Sequence, residues 1–319
     1  MEHRDLGGTG IRVSALGLGA GGASRLGLRN GGSTDGAVRV VRQALELGMN
    51  YVDTAPVYGT EQAVGRALAE VPRDALVVST KVRHKREDGG LITAEELRQS
   101  LDDSLRSLGT DHVDVFFLHG VRPQEYEHCY EVLGPELAFQ RSAGKVRAIG
   151  VTEAFAHDPD HAMQHRALDD GFWDVFMTGF NVLNPSARSL LHHPASGGVG
   201  IVVMHAVRWL LTSPERLRDG LTELGARSPA VADPDRLRAA IERVPADAAT
   251  RLLPAAAYRF AVDVTGFTSI LIGTGVPAHL RQNVAEIEEI AHDPAATDLI
   301  EAIDGLLVGV TAGSGDRVT

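Results

Sequence analysis

A chain of 319 residues with 31 basic and 42 acidic side chains, a formal charge of −11 and 44% apolar content is long enough to bury a sizeable core. The charge argues against a general nucleic-acid surface or attachment to an anionic membrane, and apolar runs this short, broken by glycine or charge, exclude a transmembrane helix. Cys129 is the only cysteine, so no intrachain disulfide forms. Met1-Glu2-His3-Arg4-Asp5 lacks the apolar core of a signal peptide, and a cytoplasmic location is expected.

Residues 6–13 read as a short hairpin around a glycine turn. Gly17, Gly19 and Gly22 match Gly-x-Gly-x-x-Gly, but a Rossmann site needs a helix opening at the glycines, and residues 23–32 read as a loop. A glycine strand end that a ligand approaches closely is the better reading. A helix follows over 34–47, capped by Ser33 or Thr34, and then a strand ending at Asp53. The helix 61–68 leads to the strand 76–81, ending in Lys81, and Thr93 with Glu96 forms a capping box for a helix to Leu108. The next strand is 113–118, with His119 just past its end. Further strands are expected at 146–151, 175–181, 201–204 and 269–272, with helices between and after them.

Eight apolar runs alternating with helices imply a parallel sheet, and eight units imply a closed (β/α)8 barrel, an α/β fold with chemistry at the C-terminal strand ends. An open doubly wound sheet is the alternative. The chain is expected to form one domain over 1–319, with a frayed tail from about 313.

Asp53, Lys81 and His119 follow successive strands, and Tyr58 stands in the loop after Asp53. A phenol has a pKa of about 10, and a nearby ammonium lowers it by stabilising phenolate. Lys81 can do this for Tyr58. Asp53 would hold Lys81 charged and in place, and His119 can orient a carbonyl oxygen. Each residue alone has an ordinary structural explanation: a salt bridge, a core histidine, a packed tyrosine. Together they suit protonation of an oxygen whose carbon receives a hydride, and the hydride must come from a cofactor.

The chain resembles the aldo-keto reductases at this point. The likeness runs from Leu6-Gly7-Gly8-Thr9-Gly10 through Asp53-Thr54-Ala55, Tyr58-Gly59-Thr60-Glu61 and Leu108-Gly109-Thr110-Asp111 to Gly144-Lys145-Val146-Arg147-Ala148-Ile149-Gly150-Val151 and Gln282-Asn283. The resemblance implies a barrel that binds extended NADPH, or NADH, and acts on a small-molecule carbonyl. It implies a catalytic tetrad of Asp53, Tyr58, Lys81 and His119, with the tyrosine as general acid. Implied cofactor contacts are Gly19, Ala20 and Asp53 at the first strand ends, Thr152 and Glu153 after the fifth, and Met177 and Phe180 on the sixth. Ala206 follows the seventh strand, and Gly273, Thr274, Gly275, His279, Gln282 and Asn283 follow the eighth.

Several positions depart from the family pattern. Thr152-Glu153 replaces a common Ser-Asn pair, and Met177 replaces a glutamine, so two amides that would hold the nicotinamide carboxamide are lost. Phe180 replaces a ring that stacks on nicotinamide. Arg208, in the loop after the seventh strand, is either a phosphate ligand or a surface or substrate-pocket residue. Gly275 and His279 stand where NADPH-preferring members carry basic residues, so selectivity should be weak. Val57, Phe155, Trp209 and the loops at 22–33, 83–92 and 205–230 are expected around the substrate. His161 and His165, four apart, read as a solvated helix face rather than a metal site. Redox-neutral elimination or isomerisation, or a non-catalytic cofactor-sensing role, are the alternatives. The sequence leaves the oligomeric state open.

Overall fold

The computed structural model describes residues 1–227, 233–244 and 252–308; the expected frayed tail lies outside them. A two-stranded antiparallel hairpin, β1 (His3–Asp5) with β2 (Arg12–Ser14), precedes the barrel. Eight strands follow: β3 (Leu16–Gly19), β4 (Tyr51–Asp53), β5 (Val77–Arg83), β6 (Val113–Val121), β7 (Val146–Glu153), β8 (Val175–Gly179), β9 (Gly200–Met204) and β10 (Ser269–Ile272). They pair in parallel in that order, and β10 closes onto β3. The open-sheet alternative is thereby excluded.

Side chains of a strand alternate between faces, and this alternation decides what reaches the barrel mouth. Tyr51, Val77, Val115, Phe117, Ala148, Val175, Met177 and Val202 form the interior cluster. Their neighbours Val52, Val78, Phe116, Ile149, Phe176 and Val203 face the surrounding helices. Burying a side chain such as Phe116 or Phe117 fully stabilises the fold by roughly 1.5–3 kcal/mol. Leu6, Ile11 and Val13 of the hairpin segment join the interior cluster, and Gly8 N donates to Gly198 O at 2.9 Å. The hairpin therefore packs against the end of the barrel where the strands begin, leaving the C-terminal strand ends as the other rim.

The helices begin where local chemistry dictates. Ser33 Oγ accepts from Gly36 N at 3.1 Å ahead of the helix Thr34–Glu46. Thr93 and Glu96 satisfy each other's backbone amides ahead of Ala94–Leu108, a cap worth about 1 kcal/mol. The helical stretch from Tyr126 to Ser142 is interrupted by one π turn over Cys129–Leu133. Cys129 is buried there, which raises its thiol pKa to about 12 and makes it inert.

Candidate active site

The sequence-predicted acid, lysine, tyrosine and histidine come together at the mouth. Asp53 is the last residue of β4, and Lys81 lies on β5 next to it in the barrel. Lys81 Nζ donates to Asp53 Oδ1 at 2.5 Å and to Thr54 O at 2.9 Å, with both ionic side chains almost wholly buried. Tyr58 is set by a single turn, Pro56–Tyr58. Proline opens the turn, and Gly59 ends it at φ 69°, in the left-handed region glycine favours. Its hydroxyl lies 3.3 Å from His119 Nε2, the two rings meet edge to face, and Lys81 Nζ is 5.0 Å from the phenol centroid.

The strands run further than their apolar residues. β5 continues two residues past Lys81, to Arg83, and β6 continues to Val121. His119 is therefore not beyond its strand but inside it, at a register shift between Leu118 and Val121. Gly120 takes φ 71° there, and its N–H donates to Thr152 Oγ1 at 2.7 Å.

Four supporting residues carry no obvious mark in the sequence. Tyr51 OH donates to Ser79 Oγ (2.9 Å), and Ser79 donates to Asp53 Oδ1 (2.6 Å). Both belong to the inward rows, two residues before Asp53 and Lys81, and strand alternation is the signal that finds them. His84 binds the carbonyl oxygen of His119 through Nδ1 (3.1 Å) and Glu125 through Nε2 (2.6 Å), which fixes the backbone behind His119. Glu125 also receives Lys85. Burial raises its carboxyl pKa, but Lys85, His84 and the Arg122 amide together outweigh this and bring it below the usual range.

The electrostatics differ from the expected balance at Tyr58. Burial raises the phenol above its ordinary value, and Lys81 only partly reverses this, with Asp53 adding to the rise. The resting site therefore holds a firmly protonated phenol. His119 falls to about 3 because of burial, then Lys81, Arg83 and His84; it is neutral at physiological pH. His205 also falls to about 3, through burial and the neighbouring Arg208.

A histidine neutral in the fold and titrating near 6.5 when unfolded binds fewer protons in the native state between those values. Its stabilising effect is complete above about pH 6.5 and is lost as pH falls towards 3. The slope is at most about 1.4 kcal/mol per pH unit for each histidine. Urea unfolding at pH 7 and pH 5 should show this loss, and His119→Asn should shrink it. Stability that is flat across that interval would contradict neutral burial of the two rings.

The expected cofactor positions divide. Thr152 is on the inward row of β7 with Ala148, and its hydroxyl oxygen accepts from Gly120, while among the described residues its O–H has no acceptor. Glu153, one residue on, faces the other way. Its side chain is fully buried, Oε1 accepts from Gly179 N at 2.6 Å, and Oε2 lies 2.7 Å from His161 Nδ1. Burial lifts its carboxyl above the usual range, against the pull of His161. Its expected place as a cofactor contact is thus corrected: both oxygens are taken by the protein.

Phe180 is corrected in the same way. It is wholly buried against Phe267 (4.7 Å between centroids) and Phe260 (5.4 Å), in the layer between barrel and helices, and cannot stack on a ligand in the mouth. Met177 faces the interior cluster and offers only its thioether. Ala206 is buried. Phe155, expected around the substrate, is 2% exposed and stacks between His161 and His205. Arg208 Nη1 lies 2.8 Å from His205 Nδ1, and burial lowers its guanidinium to about 10.

His161 is not on a solvated face. It precedes the helix Ala162–Asp170 at φ 59°, is fully buried, and bridges Glu153 and Ser186 Oγ (2.9 Å). The backbone N–H of His165 donates to His161 O at 2.9 Å, but its side chain goes to a different partner, Ser189 Oγ, at 2.9 Å. His161→Leu strands the buried Glu153 carboxylate and should lower stability by about 3–5 kcal/mol. Chemical denaturation checks this, and a loss under 1 kcal/mol would show that the pair contributes little.

Loops after β3 and β10 meet beside the tetrad. A Cβ on Gly21 would lie 2.8 Å from the Tyr58 ring, and one on Gly275 would lie 2.6 Å from Gly27. Glycine at 21 lets the backbone lie against the phenol, and the Gly27–Gly275 contact joins the two loops. Gly273 is exposed and Thr274 Oγ1 accepts from Val276 N, ahead of the helix Pro277–Glu289. His279 is exposed on that helix, Gln282 bonds Glu286 at 2.9 Å, and Asn283 is half-buried. Among the described residues no group of three or more His, Cys, Asp or Glu is placed to hold a metal, and no helix is long and apolar enough to cross a membrane.

The family model described as "Aldo/keto reductase family" matches residues 15–304. The chain is 30% identical to an L-galactose dehydrogenase of Arabidopsis thaliana, over 95% of this chain and 94% of that protein. It is also 30% identical to a D-threo-aldose 1-dehydrogenase of a Pseudomonas species, over 86% and 89% of the two chains. The holo form of an aldo-keto reductase, AKR11C1, from Bacillus halodurans shares the fold with a TM-score of 0.69 at 24% identity, covering 95% of this chain and 96% of that one. The chain belongs to the aldo-keto reductase family, an oxidoreductase family that uses nicotinamide cofactors.

Proposed function

We propose that the protein catalyses NAD(P)H-dependent reduction of an aldehyde, ketone or sugar-like carbonyl, or the reverse alcohol oxidation, with Tyr58 as proton donor. The observation that carries this reading is the 3.3 Å contact of the Tyr58 hydroxyl with His119 Nε2, beside a lysine locked to Asp53. When bound, a nicotinamide cofactor would supply the hydride that the carbonyl carbon needs, since no side chain of this chain can donate one. The carbonyl oxygen is received between the Tyr58 hydroxyl and His119. Tyr58 passes its proton to that oxygen as negative charge develops there. Burial keeps the phenol protonated until then, and Lys81 stabilises the phenolate left behind. Asp53 neutralises Lys81, and an uncharged His119 avoids placing a second cation beside the ammonium.

The residues present fit the nicotinamide group with fewer contacts than the resemblance implies. The free O–H of Thr152 suits the carboxamide oxygen, whereas Glu153, Met177 and Phe180 contribute none of the expected contacts. The first turn of the helix Pro277–Glu289 presents His279 and no lysine or arginine, so NADPH and NADH should be accepted with little selectivity. The sugar-like range rests on the two dehydrogenase relatives. Purified protein supplied with either nucleotide and a panel of aldoses and short aldehydes should oxidise the nucleotide. The reading fails if no pairing is turned over in either direction.

A further inference from the structure

The inward row of β5 does not stop at the tetrad. Val77, Ser79 and Lys81 face the barrel axis, and Arg83 is next on that row. Its Cα lies about 6.6 Å further towards the rim than that of Lys81. In the register of the sheet Arg83 is opposite His119. It is exposed, whereas Lys81 below it is buried. Its charge reaches both reacting groups, since it lowers the pKa of Tyr58 and of His119.

The other cations of this loop are neutralised. Lys85 pairs with Glu125, and Arg86 pairs with Glu96 and Asp88. Among the described residues, no carboxylate pairs with Arg83. The strand thus carries two inward cations in sequence. Lys81 has a built-in counter-ion, and Arg83 is left facing the space above the tyrosine and histidine.

We infer that Arg83 is a specificity residue that binds an acidic substituent, a carboxylate or a phosphate, on the carbonyl substrate. The inference rests on the reading of the mouth as a carbonyl-reducing site. A carbonyl oxygen held by Tyr58 and His119 puts the rest of the substrate towards the rim, where Arg83 stands. A guanidinium meets a carboxylate or phosphate with two parallel hydrogen bonds, which fixes orientation as well as charge. The chain's net charge of −11 opposes acidic ligands at long range. That opposition is screened beyond about 8–10 Å at physiological salt, within which Arg83 dominates.

The test compares matched pairs: glucuronate against glucose, and glyceraldehyde 3-phosphate against glyceraldehyde, with NADPH in excess. The expected result is that wild type prefers the acidic member of at least one pair. In Arg83→Gln the ratio of kcat/KM, acidic over neutral, should fall roughly 10- to 100-fold, through KM more than kcat, with Arg83→Lys in between. The ratio should also fall with added salt in wild type alone. Equal losses for both members, no change in the ratio, or a parallel loss of NADPH affinity would overturn the assignment; the last would make Arg83 a cofactor contact.

Calorimetric titration with oxamate, an unreactive acidic carbonyl analogue, separates this inference from the proposed activity. Binding that Arg83→Gln weakens at least tenfold supports the inference even where no carbonyl is turned over. Absent binding, or binding indifferent to the substitution, overturns it.

Discussion

Tyr58→Phe is expected to lower kcat for carbonyl reduction by roughly 10²- to 10⁴-fold, the usual contribution of a positioned proton donor. The ring stays, so the packing against Gly21 and the edge-to-face contact with His119 survive. Only the hydroxyl next to His119 Nε2 is lost. Nucleotide affinity and thermal stability should therefore stay close to wild type, and the loss should fall on kcat. Measuring kcat, KM and cofactor affinity separately checks this. A variant that keeps full turnover would remove Tyr58 from the role of general acid, and one that loses nucleotide binding would make it a binding residue.

The second large effect concerns the buried ion pair. Lys81→Met leaves the Asp53 carboxylate buried with Ser79 as its remaining side-chain partner, and breaking a buried pair from one side typically costs about 3–5 kcal/mol. Activity should fall as well, because the phenolate loses its neighbouring cation. The two consequences separate in the double variant Asp53→Leu with Lys81→Met. Replacing both charges by apolar groups removes the stranded carboxylate, so most of the stability should return. Turnover should not. Denaturant unfolding and steady-state rates on the two single variants and the double variant give the coupling directly. Recovery of turnover in the double variant would show that the pair is structural only.

These expectations draw on residues that were unevenly visible in the sequence. The barrel was legible because each strand is a short apolar run between helical patterns, and the tetrad because its four side chains follow or adjoin those runs. What was not legible is the direction of side chains near the rim. Apolar patterning stops where solvent begins, but backbone pairing continues: β5 goes on through Val82 and Arg83, and β7 through Thr152 and Glu153. One residue of uncertainty in a strand end reverses the face. That is why Thr152 and Glu153 look equivalent as a sequence pair yet point in opposite directions. Phe180 shows the same effect at the end of β8.

His161 misled for a different reason. Spacing of four from His165 suggests one helix face, but His161 stands ahead of the helix in a left-handed backbone conformation, so helical spacing does not apply to it. Its burial against Glu153, Ser186 and Phe155 depends on three separate segments meeting, which no local pattern records. His84 and Glu125 are hidden likewise, since they matter only through the backbone of His119.

The most direct measurement of the central claim is a titration of the purified protein with NADPH and with NADH, followed by addition of an aldose or short aldehyde to the saturated complex. Saturable binding of at least one nucleotide is expected, with its oxidation when a carbonyl is added and no oxidation in Tyr58→Phe despite retained binding. Failure of the wild-type protein to bind either nucleotide would contradict that claim.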